Sequence, residues 1–310
     1  MMKGEEKYTV TTISLPDDYE GKVKATLLAL PSEKKSVSAV LYIHGYLDYY
    51  FQHHMGEHFR STGRNFYALD LRKYGRSYMT HQHFNYCRRM EEYYPDVDSA
   101  IDIILSHGNT DITLLGHSTG GLLSALYCAE GGRREFVNRL MLNSPFLEFN
   151  VNRFTRDIVI PIGGAVGVIF PYAHIPNVLS PNYFKSVHSS QKGEWDFDTK
   201  LKPEDNPPLY LAWVRAVRKA QKKVKKGLRL PLPVLVMFSG KSTYHKDWDE
   251  EARVSDTILN VKHIMKWGAE LGDNVTLEEI PDGLHDLVLS RKDVREKVFT
   301  IMDYFVTERR

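Results

Sequence analysis

The chain has 310 residues, 42% hydrophobic and 26% charged, enough apolar material for a large core and too much for a mainly disordered chain. Its 41 Lys and Arg against 39 Asp and Glu leave a formal net charge of +2, so no global field draws it to nucleic acid. Two cysteines, Cys87 and Cys128, exclude a disulfide framework and a cysteine zinc cluster.

Met1 to Val10 lacks the apolar run of a secretion signal, and a reduced, cytoplasmic setting is the expectation. The run 37–43 (VSAVLYI) is a buried strand ending in His44-Gly45, and 65–71 (NFYALDL) is a second strand ending in a charged loop. Apolar residues at 97, 100, 101, 104 and 105 predict a helix over 96–105. A third strand is expected at 111–115, a helix at 122–129 and a fourth strand at 139–142. Short, nearly all-apolar strands separated by helices imply an α/β fold whose mostly parallel central sheet is flanked by helices on both faces. The alternation then stops. From about 151 to 231 there is no clean strand–helix pattern, and eight of the 14 prolines lie there. A strand at 233–238, a helix around 257–271, a strand at 275–280 and a helix at 293–306 complete the chain. The expected organisation is a core in two parts, 1–150 and 232–310, interrupted by an inserted lid or cap at 151–231. Within the insertion, 158–184 carries no formal charge, but its densest part, 158–173, is shorter than the roughly 20 residues of a spanning helix and holds three glycines and two prolines.

Gly116-His117-Ser118-Thr119-Gly120 follows one strand directly and opens a helix. A turn that sharp strains the central residue, and flanking glycines avoid the clash, leaving a serine hydroxyl exposed above the sheet edge. Ser118 is therefore the candidate nucleophile. A hydroxyl needs a base, and of 13 histidines His285 alone lies on a loop past the carboxyl end of the final strand. An acid must orient that imidazole. Asp256 is preferred because it precedes an apolar helical pattern, with Asp247 or Asp249 next and Glu148 as an outside choice; its plain reading is a helix N-cap. The candidate oxyanion donors are the backbone N–H of Thr119 and that of Tyr46, with Leu47 as the alternative.

The His44-Gly45 loop, Asp70-Leu71-Arg72-Lys73-Tyr74-Gly75-Arg76-Ser77, the 116–120 elbow, Ser255-Asp256-Thr257-Ile258-Leu259 and Gly283-Leu284-His285 stand in one order across 37–300. In these pieces the chain resembles an α/β-hydrolase of the serine aminopeptidase-like group, which includes monoacylglycerol lipases and lysophospholipases. It departs from the pattern at Lys73, where glycine is common, at Thr119, where methionine is frequent, and in a longer loop between Phe238 and Asp256. The resemblance implies cleavage of monoacylglycerol-like or other small acyl esters through an acyl-enzyme, with neither cofactor nor metal. His44, Tyr49 and His117 are candidates for substrate contact, and Tyr46, Tyr49, Tyr50 and Phe51 for an aromatic lining or for core. The alternatives are an aminopeptidase, with Glu194, Asp196 or Asp198 holding a substrate ammonium, a thioesterase, or a catalytically silent binding protein. His53, His54 and His58 suggest hydrogen bonding rather than a metal. Eight basic residues between Arg215 and Arg229 form one face of an amphipathic lid helix, solvated or lying on an anionic membrane.

Overall fold

The computed structural model describes residues 4–176 and 179–308. Met1 to Lys3, in the segment read for a leader, and Asn177 and Val178, in the uncharged stretch, lie outside the described residues.

Two strands precede the first one expected from sequence. Strands β1 (Thr9–Asp18) and β2 (Gly21–Leu30) form an antiparallel hairpin, with Gly21 at φ 93° just past the turn. The chain then runs through β3 (Ser38–Ile43), α1 (His53–Ser61), β4 (Asn65–Asp70), α2 (Tyr94–Ser106), β5 (Asp111–His117), α3 (Thr119–Glu130) and β6 (Val137–Asn143). The inserted segment holds α4 (Ile160–Ile169), β7 (His174–Ile175), α5 (Asn182–Val187), β8 (Leu209–Tyr210) and α6 (Leu211–Lys225). The core resumes with β9 (Val234–Ser239), α7 (Val261–Gly268), β10 (Val275–Ile280) and α8 (Lys292–Glu308). The main sheet has eight strands in the order β1-β2-β4-β3-β5-β6-β9-β10, parallel from β4 onward. It is the mostly parallel, helix-flanked sheet of an α/β-hydrolase.

Each central strand is apolar on both faces because each face has its own helices to cover it. Leu41, Leu69, Leu114, Leu140 and Val236 pack with α2, α3 and α6. Their neighbours in sequence, Tyr42, Ala68, Leu115, Met141 and Leu235, point the other way, toward α1 and α8. Because β3 has β4 on one side and β5 on the other, the chain reverses its winding there. The crevice at the carboxyl ends of such strands is where open α/β sheets place ligands. Among the described residues no helix is long and apolar enough to cross a membrane.

Helix α7 starts four residues later than expected, because Asn260 caps it by accepting from the Lys262 N–H. The basic helix α6 buries Trp213, Val214, Val217 and Val224 in the core. Its Lys223 pairs with Glu91 and Glu130, and Lys225 with Glu148, while Lys219, Lys222 and Lys226 face solvent.

Lys73 shows why its position favours glycine: its backbone has φ 64°. The lysine is fully buried, with Nζ 2.7 Å from Asp18 Oδ2 and 2.6 Å from Glu20 Oε2. It pins the loop after β4 to the β1–β2 turn. Lys73→Met would remove the ammonium between two largely buried carboxylates, and urea unfolding is expected to show a loss of about 3–5 kcal/mol. A stability unchanged from wild type would contradict this account of the pin.

Candidate active site

Strand β5 ends at His117 and α3 begins at Thr119, so the chain turns within Ser118, whose backbone stands at φ 52°, ψ −116°. Three glycines make that turn possible. A Cβ on Gly116 would lie 2.6 Å from the Gly120 carbonyl oxygen, and one on Gly120 would lie 2.3 Å from that of His44. A Cβ on Gly45 would come within 3.1 Å of the Ser118 Cβ, so the loop after β3 runs directly beside the nucleophile candidate. The Ser118 N–H donates to Asn143 O, and its carbonyl accepts from Leu122 and Phe146.

Ser118 Oγ lies 3.0 Å from His285 Nε2, and His285 Nδ1 lies 2.8 Å from Asp256 Oδ2. Asp256 is fully buried, and its second oxygen accepts from the N–H groups of Ile258 and Leu259. Asp256 is thus held by the turn that leads into α7 and is not that helix's cap. The other acid candidates are engaged elsewhere. Asp249 pairs with His245 and caps a short turn, Asp247 is exposed, and Glu148 binds Lys225, Arg156 and Trp267.

The loop that carries His285 is fastened at several points. Ser239 Oγ donates to Gly283 O at 2.6 Å, and the Leu284 N–H donates to Ser290 Oγ. The next residue, Asp286, accepts from Asn143 Nδ2 at 2.7 Å and from Gln52 Nε2 at 2.9 Å. Burial pushes the Asp286 carboxyl up, but His117 and these two amides outweigh it and hold it below the usual carboxylate range.

Each of the three substrate-contact candidates has partners within the protein. His44 Nδ1 donates to Gly45 O and its Nε2 accepts from the Leu71 N–H, so both ring nitrogens hold the loop. Burial keeps its pKa below the usual histidine value, consistent with a neutral ring. Tyr49 is fully buried, and its hydroxyl accepts from the Asp198 N–H. His117 donates from Nδ1 to Asn143 O, with its ring 4.9 Å from that of His285. Tyr49, Tyr50 and Phe51 belong to the core on the α1–α8 side, whereas the Tyr46 ring packs on Trp213 at 4.2 Å. His53, His54 and His58 diverge: His53 lies against Tyr8 and Tyr50, His54 bonds Val288 O, and His58 meets Asp303.

Sequence reasoning missed one group. Asp48, His117 and Asp286, all buried, bring ligand atoms within 4.8 Å of one another, the kind of cluster that can hold a cation. Here a cation comes from the chain itself, since Lys202 Nζ sits 2.7 Å from Asp48 Oδ1. The only signals in the sequence were the Asp next to His285 and the Asp closing the loop after β3.

A family model described as serine aminopeptidase, S33, matches residues 34–289. The chain belongs to this family of α/β-hydrolases. Among solved structures, the S33 chain is similar to a soluble variant of the monoglyceride lipase of Saccharomyces cerevisiae in complex with a substrate analog. The TM-score is 0.70, with 17% identity over 96% of each chain. It is also similar to the monoacylglycerol lipase of Paleococcus ferrophilus, with TM-score 0.67 and 18% identity, covering 97% of this chain and 98% of that one. A thermostable carboxyl esterase of Bacillus coagulans, in complex with glycerol, gives 0.65 and 13%, covering 96% and 99%. Curated proteins yield no sequence match. Identities this low speak to the fold that the hydrolase shares with them.

The glycine contacts make a direct prediction. Gly120→Ala forces a methyl against the His44 and Ile43 carbonyls, backbone that cannot rotate away. A thermal melt should show a loss of about 1–3 kcal/mol. Wild-type melting would contradict the packing of α3 on the β3 loop.

Proposed function

We propose that this hydrolase is a serine esterase that cleaves carboxylic esters with apolar acyl chains, of the monoacylglycerol kind, through an acyl-enzyme. The observation that carries the reading is the unbroken relay from Ser118 Oγ through His285 to Asp256, at 3.0 and 2.8 Å. Ser118 attacks the ester carbonyl while His285 Nε2 takes its proton. The imidazolium is held in orientation by Asp256 through Nδ1–H. Charge on the carbonyl oxygen is met by the N–H groups of Tyr46 and Thr119, the latter free of an intrahelical acceptor because it opens α3. His285 then protonates the leaving alcohol, and in a second cycle it activates the water that releases the acid.

The substrate class is supported by the outward face of the inserted segment, the proposed lid. On α4 the glycines face inward: a Cβ on Gly167 would lie 2.7 Å from the Ala212 nitrogen of α6. The large residues face solvent, with Phe154, Ile162, Ile169 and Phe170 each more than 60% exposed. Such a face suits substrates presented at a lipid surface. Of the carboxylates named for the peptidase reading, Glu194 pairs with Arg253 and Arg295, and Asp198 accepts from the Lys200 N–H.

Two experiments test the proposal. On p-nitrophenyl esters from acetate to palmitate, Ser118→Ala should abolish turnover and Asp256→Asn should lower kcat on the order of 10³–10⁴-fold. Preferred turnover of aminoacyl p-nitroanilides would sink the ester reading. Ile162→Asp/Ile169→Asp should leave acetate hydrolysis unchanged and cut turnover of emulsified long-chain esters tenfold or more, because burying one such side chain is worth about 1.5–3 kcal/mol. An equal effect on both substrates would remove the apolar face from the argument.

A further inference from the structure

Lys202 belongs to the inserted segment, yet its side chain is buried beneath the reaction centre. Its ammonium lies 2.7 Å from Asp48 Oδ1, in a box formed by the rings of Phe51, Tyr183 and Phe197 at 5.2–5.5 Å. Asp48 is 2% exposed, and among the described residues its other oxygen has no hydrogen-bond partner. This charge pair closes a loop whose other end is anchored by His44. Between the two anchors lie Tyr46, the proposed oxyanion donor, and Leu47, a non-glycine residue at φ 53°. A backbone in that region relaxes unless its surroundings hold it.

The tie is not isolated. The Asp198 N–H donates to Tyr49 Oη at 2.8 Å, and the Phe197 ring packs on Phe51 at 4.7 Å. Residues 197–202 are therefore clamped along 48–51 by a charge pair, a hydrogen bond and a ring contact. Lys202 reaches a second part of the centre as well, because the Tyr183 ring in its box stands edge-on to His285 at 5.4 Å.

We propose that Lys202 is a positioning residue of this site: its ammonium, delivered by the inserted segment, fixes Asp48 and so aims the Tyr46 N–H at the developing oxyanion. The inference rests on the esterase reading above. It makes the insertion a working part of the oxyanion hole and not merely a cover over it. An interaction that acts through the oxyanion hole is felt in the tetrahedral state and not in the bound ester. A pair that served only to neutralise Asp48 would affect stability alone.

The test compares wild type, Lys202→Met and the double variant Asp48→Asn/Lys202→Met, each normalised to active sites titrated with a fluorophosphonate. No titre in the wild type would defeat the esterase reading itself, separately from the role of Lys202. The double variant removes both buried charges, so it remains informative if the single variant, with a bare Asp48, does not fold. Both variants are expected to lose kcat per site by about ten- to a hundredfold, with KM changed less than about threefold. Affinity for a trifluoromethyl ketone, which forms the tetrahedral adduct, should fall in the same proportion as kcat. Recovery of wild-type kcat and ketone affinity in the double variant would overturn the proposal, because Lys202 would then be a counter-charge only. A lowered melting temperature with unchanged kcat per site would overturn it equally.

Discussion

Ser118 stands in a backbone conformation that ordinary residues avoid, at a cost on the order of 1–3 kcal/mol. That cost is met by close contact on every side. Asn143 receives its N–H, two N–H groups converge on its carbonyl, and backbone from the β3 loop fills the space a side chain at 120 would need. The same contacts that hold the turn also bring the β3 loop against the serine. Strain at one residue thus fixes the distance between the proposed nucleophile and the proposed oxyanion loop, which neither loop could set alone.

The inserted segment braces each of the loops that carry the remaining groups. Lys202 and Asp198 hold the loop after β3, Ser186 receives the Trp248 indole N–H from the loop after β9, and the Trp195 indole donates to Leu289 O beside the loop after β10. Its outer surface is built on the opposite logic, with small residues against the protein and large apolar ones in water. One segment therefore interlocks with the loops beneath it while its α4 face turns large apolar side chains outward.

Local motifs made much of the core and site legible. A strand followed by Gly-x-Ser-x-Gly, or by Pro-Asp-Gly-Leu-His, carries its own geometry, since turn and strand lie within a few residues of each other. Asp256 was singled out because it precedes an apolar helical pattern, yet the helix begins later, behind Asn260, and that delay leaves the carboxylate facing His285. The hairpin of β1 and β2 was missed because β1 is mostly exposed and lacks an apolar run. Helix α1 leaves little apolar period in the sequence, because only Met55, Gly56 and Phe59 of its nine residues are buried. Lys202 and Asp48 are 154 residues apart in sequence, and a lysine among charged neighbours gives no local sign of burial. The buried cluster of Asp48, His117 and Asp286 has the same origin: only the sheet order brings the three loops together.

The order of the strands also bears on how the chain acquires its site. Ser118 and its turn belong to the first half, whereas Asp256 and His285 follow β9 and β10, which pair onto β6 only after the whole insertion has been made. Pairings this distant in sequence are costly to close and form late. A chain emerging from the ribosome therefore carries a serine with no base beside it, and Asn143 waits for Asp286 to complete the bond that secures the histidine loop. The proposed relay is complete only when the loop after β10 has docked. A chain cut before β10 therefore lacks the base of the proposed triad, however complete its first half.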